Sequence, residues 1–118
     1  MKKMRFWLTY DLGIGGDFSS MYSWLDDNNA IECGNNNALI DNYEYPDTVT
    51  TDEQFAVFLK NELEEKVRFN LGKDRIYAAW VSIDVTRNGR GIGTFIIGKR
   101  KASPWEGFGE KTENTIDE

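Results

Sequence analysis

At 118 residues, with 40% hydrophobic side chains, the chain has the size of one domain and can bury a core without covalent staples. It contains no histidine, which excludes Ser-His-Asp and Cys-His catalysis and histidine-based zinc sites. A net charge of -6 with a pI near 4.7 disfavours broad electrostatic capture of a nucleic-acid backbone.

Residues 4–12, MRFWLTYDL, form an apolar and aromatic run whose residue types favour a strand, and Gly13-Ile14-Gly15-Gly16 ends it. Lys2 and Lys3 imitate a secretory leader, but the apolar run before Asp11 is too short for one, so no signal peptide is expected. No run reaches the ~20 apolar residues of a membrane span. With one cysteine, Cys33, no intramolecular disulfide can form, and the expected compartment is the cytoplasm.

Asp17, Ser19 and Ser20 offer N-cap oxygens, and Phe18, Met21, Tyr22 and Leu25 follow at helical spacing, predicting a short amphipathic helix over 18–27. Two β-like pieces over 30–33 and 38–45, separated by Gly34-Asn35-Asn36-Asn37, read as a hairpin closed by Pro46. Thr51-Asp52-Glu53-Gln54 has capping-box spacing, and Phe55, Phe58, Leu59, Leu63 and Val67 make one apolar face of a second helix over 52–67. On its other face Glu62 with Lys66 and Glu64 with Arg68 are spaced for i,i+4 ion pairs. Residues 75–86 are apolar on both alternating faces, as an inner strand requires, and Asn88-Gly89 predicts a tight turn into a returning strand over 91–99.

The order β-α-β-β-α-β-β predicts an α+β domain over 1–109: a ferredoxin-like sandwich with two helices on one face of an antiparallel sheet. Residues 110–118 form an acidic end expected to be disordered.

Four features could carry chemistry or binding. Asp11 closes the first strand where α/β folds often build sites, and its carboxylate could ligate magnesium or manganese. The competing reading is that Asp11 accepts a hydrogen bond from the Gly15 or Gly16 amide and stops the strand. The glycine turn itself resembles a phosphate cradle, but Phe18 and Asp17 stand where a dinucleotide fingerprint needs glycine and no charge, so a plain turn is expected. The run 90–97 lacks the aromatic residues of an RNA-recognition octamer and reads as a structural strand. Lys99, Arg100 and Lys101 beside Trp105 and Phe108 combine charge with aromatic surface suited to a partner peptide or single-stranded nucleic acid. The alternative is that Trp105 and Phe108 cover the sheet, while Cys33 is expected to be a small packed residue.

The strand ending in Tyr10-Asp11-Leu12, followed by helix, hairpin, helix and final hairpin, resembles the CRISPR-associated adaptation proteins known as Cas-two and their VapD-like relatives over residues 4–101. The resemblance implies a ferredoxin-like homodimer. It also implies that Asp11 sits where that family carries the aspartate of metal-dependent nucleic-acid cleavage. Gly13 to Gly16 stand where arginines often follow in the family, and Ala38-Leu39-Ile40 replaces its usual second strand. With the acidic balance, these differences rank a binding or assembly module with an unknown protein partner first, and a nuclease cleaving RNA or DNA through Asp11 at a dimer interface second.

Overall fold

The computed structural model describes residues 1–109. The acidic end over 110–118, expected to be disordered, lies outside the described residues.

Strand β1 (Lys2–Asp11) alternates strictly: Met4, Phe6, Leu8 and Tyr10 are buried, while Lys3, Arg5 and Trp7 are exposed. That period of two sets the two sides of the sheet. Helix α1 (Phe18–Asp27) starts at Asp17, whose Oδ1 accepts the Ser20 N–H, and buries Met21, Trp24 and Leu25. Tyr22 instead stays half exposed, and Trp24, two residues on, takes the core position. Strands β2 (Ile31–Glu32) and β3 (Asn37–Tyr45) form the expected hairpin, with Gly34, Asn35 and Asn36 all at positive φ in its turn.

Helix α2 (Asp52–Lys66) begins with the capping box: the Thr51 hydroxyl accepts from Gln54 N, and the Gln54 side chain accepts from Thr51 N. Phe55, Leu59 and Leu63, one turn apart, are fully buried. The expected Glu64–Arg68 pair is replaced by another partner, since Arg68 lies 4.0 Å from Asp17 and donates its backbone N–H to it. Strands β4 (Arg75–Val81) and β5 (Gly91–Ile97) complete the set.

The five strands lie in the order β2-β3-β1-β4-β5, every pairing antiparallel. A β-bulge interrupts β1–β3 pairing: Met4 faces Tyr43 and Phe6 faces Ile40, so Asp41 and Asn42 together oppose Arg5. Both helices pack on the same side of the sheet. Tyr10 meets Tyr22 of α1, and Phe6 meets Phe55 of α2. Phe55 is the hub, with Phe6, Tyr43, Tyr45 and Trp80 around it at ring separations of 5.9, 6.1, 5.3 and 5.0 Å.

The strand expected to run to residue 86 leaves the ladder after Val81, and a 3₁₀ turn over Val85–Arg87 precedes the Asn88-Gly89 turn. The cause is Asp52, the first residue of α2, which is 2% exposed. Its carboxylate accepts from Trp80 Nε1 at 2.9 Å, Ile83 N at 3.1 Å, Arg87 Nη1 at 3.0 Å and the Ser82 hydroxyl. After Ser82 N makes one last bond across to the Arg90 carbonyl, those bonds draw residues 83–87 toward the helix start and away from further strand pairing.

Candidate binding surface

Asp11 ends β1 directly opposite Arg75 of β4, and the Arg75 guanidinium meets its carboxylate at 2.8 Å. The same guanidinium lies 5.8 Å from the centre of the Phe95 ring, so Phe95 backs the ion pair. A hollow of about 420 Å³ opens here, lined among others by Thr9, Asp11, Asn36, Arg75, Tyr77 and Phe95. Neither glycine amide of the following loop reaches Asp11. Gly16 N donates to the Gly13 carbonyl at 2.9 Å, and Gly13 N donates to Asp74 Oδ1 at 2.7 Å. The strand end is therefore held by Arg75 and the loop by the buried Asp74, two residues more than sixty positions away.

Asp17 belongs to a different constellation. Its carboxylate accepts from the backbone N–H groups of Arg68 and Ser20, and these hold it below the usual carboxylate range. Asp11 and Asp17 thus have separate partners. Among the described residues, no group of three His, Cys, Asp or Glu side chains stands close enough to hold a metal ion. The Gly13 and Gly16 amides of this loop are already used, and an aspartate stands at the helix cap.

The side of the sheet turned away from the helices carries Trp7, Thr9, Leu39, Tyr77, Ala79 and Phe95. Trp7 is 48% exposed, and Val81, at the end of β4, is 60% exposed. Tyr77 and Phe95 are directly paired across β4 and β5 and meet edge to face at 4.9 Å. The Tyr77 ring lies over Gly93, where any Cβ would run into its hydroxyl, so glycine there lets the aromatic ring lie flat on the sheet. Arg5 paired with Asp41 and Arg75 paired with Asp11 stand at the rim. The centre of this face is apolar and nothing among the described residues covers it.

Beyond β5, Gly98 has φ +81°, and a Cβ there would meet the Asp74 carbonyl oxygen at 2.6 Å. Lys99, Arg100 and Lys101 follow, all exposed, and with Lys60 and Leu71 they border a second hollow of about 510 Å³. Trp105 and Phe108 are 71% and 85% exposed. They do not cover the sheet, so the packing alternative for these two rings fails and their apolar area stays on the surface. Cys33 is likewise exposed rather than packed, because the turn in which it sits projects beyond the core. Arg87 does not join these cations, being bound to Asp52, Glu53 and Asp84.

No family model matches the chain, and no curated protein or solved structure matches it.

Proposed function

We propose that the chain is a non-catalytic binding and assembly module of ferredoxin-like architecture, with β5 appended to a β2-β3-β1-β4 sheet, akin to the Cas-two-like and VapD-like proteins it resembles. The observation that carries this reading is the uncovered apolar face around Trp7, Tyr77 and Phe95. Four strands about 4.8 Å apart and seven or more residues long, flanked by the two-residue β2, present a patch of several hundred Å², of the order that marks an interaction surface. A second copy of the chain is its simplest occupant, since two such faces can stack about 10 Å apart like the layers of a sandwich. Lys99 to Lys101, with Trp105 and Phe108 beyond the sheet edge, then remain for a further protein partner, the two rings serving as anchors.

Light scattering at micromolar concentration tests the homodimer. The wild type is expected to run as a dimer and Trp7→Lys as a monomer with an unchanged melting temperature, because Trp7 points away from the helices. A wild type that stays monomeric as concentration rises sinks the proposal.

A nuclease acting through Asp11 is the second reading, and the placement of Asp11 at the edge of that open face favours it, since a two-fold partner could bring a second Asp11 near. The ion pair with Arg75 weighs against it, because a guanidinium already occupies the oxygen a magnesium or manganese ion would take. Incubation of the same preparation with RNA and DNA plus either metal is expected to give no cleavage. Cleavage that Asp11→Asn abolishes would reverse the order of the two readings.

A further inference from the structure

An open sheet has two outer strands, and their unpaired N–H and C=O groups can pair with another chain unless something protects them. Here the two edges differ. The β2 edge has only Ile31 and Glu32, too short to hold a strand and marked by a charge. The β5 edge runs for seven residues, GIGTFII, with neither a charge nor a proline in it.

The pairing with β4 fixes which backbone groups of β5 face outward. Val81 stands opposite Gly91, so Ser82 stands opposite Arg90, and Ser82 N donates to the Arg90 carbonyl at 2.7 Å. In an antiparallel ladder, directly hydrogen-bonded pairs alternate with non-bonded ones. Ile92 with Trp80 and Thr94 with Ala78 are therefore the next bonded pairs, and the N–H and C=O groups of Gly91, Gly93 and Phe95 point away from β4. No group among the described residues pairs with them. Gly91 and Gly93 are exposed and carry no side chain to shield their backbone. The Tyr77 ring already accounts for Gly93. At Gly91, by contrast, a Cβ would meet nothing within 4 Å and φ is not positive, so neither packing nor a left-handed backbone explains the glycine.

Charge says what fits this edge. No Asp or Glu occurs between Asp84 and Glu106, a stretch that carries five basic residues in a chain of net charge -6. Arg90 before the strand and Lys99, Arg100 and Lys101 after it are exposed and form no ion pair among the described residues. A second copy paired antiparallel about Thr94 would set these cations of one β5 alongside those of the other, so repulsion opposes self-pairing. An extended strand with carboxylates toward its ends meets attraction at both ends of β5 instead. We propose that the β5 edge takes an added strand from a partner protein: an extended acidic segment whose main chain pairs with Gly91, Gly93 and Phe95 and whose flanking carboxylates meet Arg90 and Lys99 to Lys101. The inference rests on the reading of the chain as a binding module and gives that partner its chemistry. It does not need the homodimer, because the edge lies in the plane of the sheet and the open apolar face lies across it.

The probe is a synthetic peptide of about nine residues, alternating threonine and valine between two glutamates at each end, titrated calorimetrically into the full chain at about 0.15 M salt. Saturable one-to-one binding is expected. The same peptide with its central amides N-methylated keeps every charge and loses the main-chain donors, and it should bind at least about tenfold more weakly. Lys99→Glu together with Lys101→Glu, both at exposed positions, should weaken the parent peptide about tenfold without lowering the melting temperature. Amide exchange read residue by residue adds a period of two: Gly91, Gly93 and Phe95 should exchange fast in the free chain and slow on binding, while Ile92 and Thr94 stay slow throughout. The proposal is overturned if the peptide does not saturate, if N-methylation or the double substitution leaves affinity unchanged, or if an oligothymidylate binds more tightly than the peptide, which would hand the cations to nucleic acid. It is equally overturned if Gly91, Gly93 and Phe95 are already protected in the free chain, since the chain itself or a second copy then covers the edge. A chain that light scattering finds monomeric removes the face-to-face dimer and leaves this result standing, whereas a dimer that ignores the peptide does the reverse.

Discussion

Asp52 shows how one side chain can hold three elements together. Burial alone would push its carboxyl up, but hydrogen bonds from Ser82, Trp80 and Ile83 and the charge of Arg87 outweigh that and hold it below the usual carboxylate range. A carboxyl depressed in the folded state adds stability that is fully present above its unfolded pKa of about 3.9 and is lost as pH falls through the folded value. Acid unfolding should therefore begin below about pH 4, and Asp52→Asn should flatten the stability profile there. At neutral pH the same substitution is expected to cost about 2–3 kcal/mol, less than a fully buried pair would, because Arg87 is partly solvated and keeps Glu53 and Asp84. Denaturant melts of both proteins from pH 3 to 7 check this, and parallel curves for the two would show that the carboxylate's charge carries no weight.

Helix α2 joins that carboxylate to the core through Phe55, one turn on. Phe55→Ala removes a ring that touches four others, and a loss of about 3–5 kcal/mol is expected, a large share of the roughly 5–15 kcal/mol that holds a domain folded. Chemical denaturation measures it, and a loss below about 1 kcal/mol would mean the surrounding rings collapse into the space. This helix was also the most legible element. Its capping box and its apolar spacing are local signals; it starts where Thr51 places it and ends at Lys66, one residue short of the expected Val67. The end of β4 was illegible for the opposite reason. Residues 82–86 have the composition of strand, and what removes them from the sheet is a carboxylate some thirty positions earlier. The candidate site divides the same way: the position of Asp11 could be read from the end of an apolar run, but its partner Arg75 depends on strand pairing across 64 residues. Tyr43 gave no signal at all, since an aromatic residue in a strand is ordinary and only the assembled core shows that its hydroxyl lacks a partner among the described residues.

Over the whole molecule, the two sides of the sheet have different tasks. One is closed by helices whose outer surfaces carry much of the acidic charge, and the other is left apolar and open, with cations gathered past the last strand. The α+β class, the antiparallel sheet of five strands and the two helices followed from periodicity and caps. That one face stays open was implied by the expected placement of both helices on one side, but which face of β4 it is was not, because both look equally apolar in sequence. Among the described residues no helix is long and apolar enough to cross a membrane.

The position of β1 has a consequence for how the chain is made. It is the middle strand of the sheet and the first to leave the ribosome, yet it pairs with β3 and β4, and Asp11 waits for Arg75, 64 residues later. At a synthesis rate of 5–20 residues per second, an apolar strand with at least one unpaired edge waits about 3–13 s for β4. Its first shelter is the hairpin of β2 and β3, which can only half enclose it. During that interval the nascent chain is a substrate for chaperones and for its own neighbours on the polysome. Slowing translation after residue 45 should lower the yield of folded protein more than slowing it after residue 97, when every strand has been made; equal yields would show that the early hairpin is shelter enough.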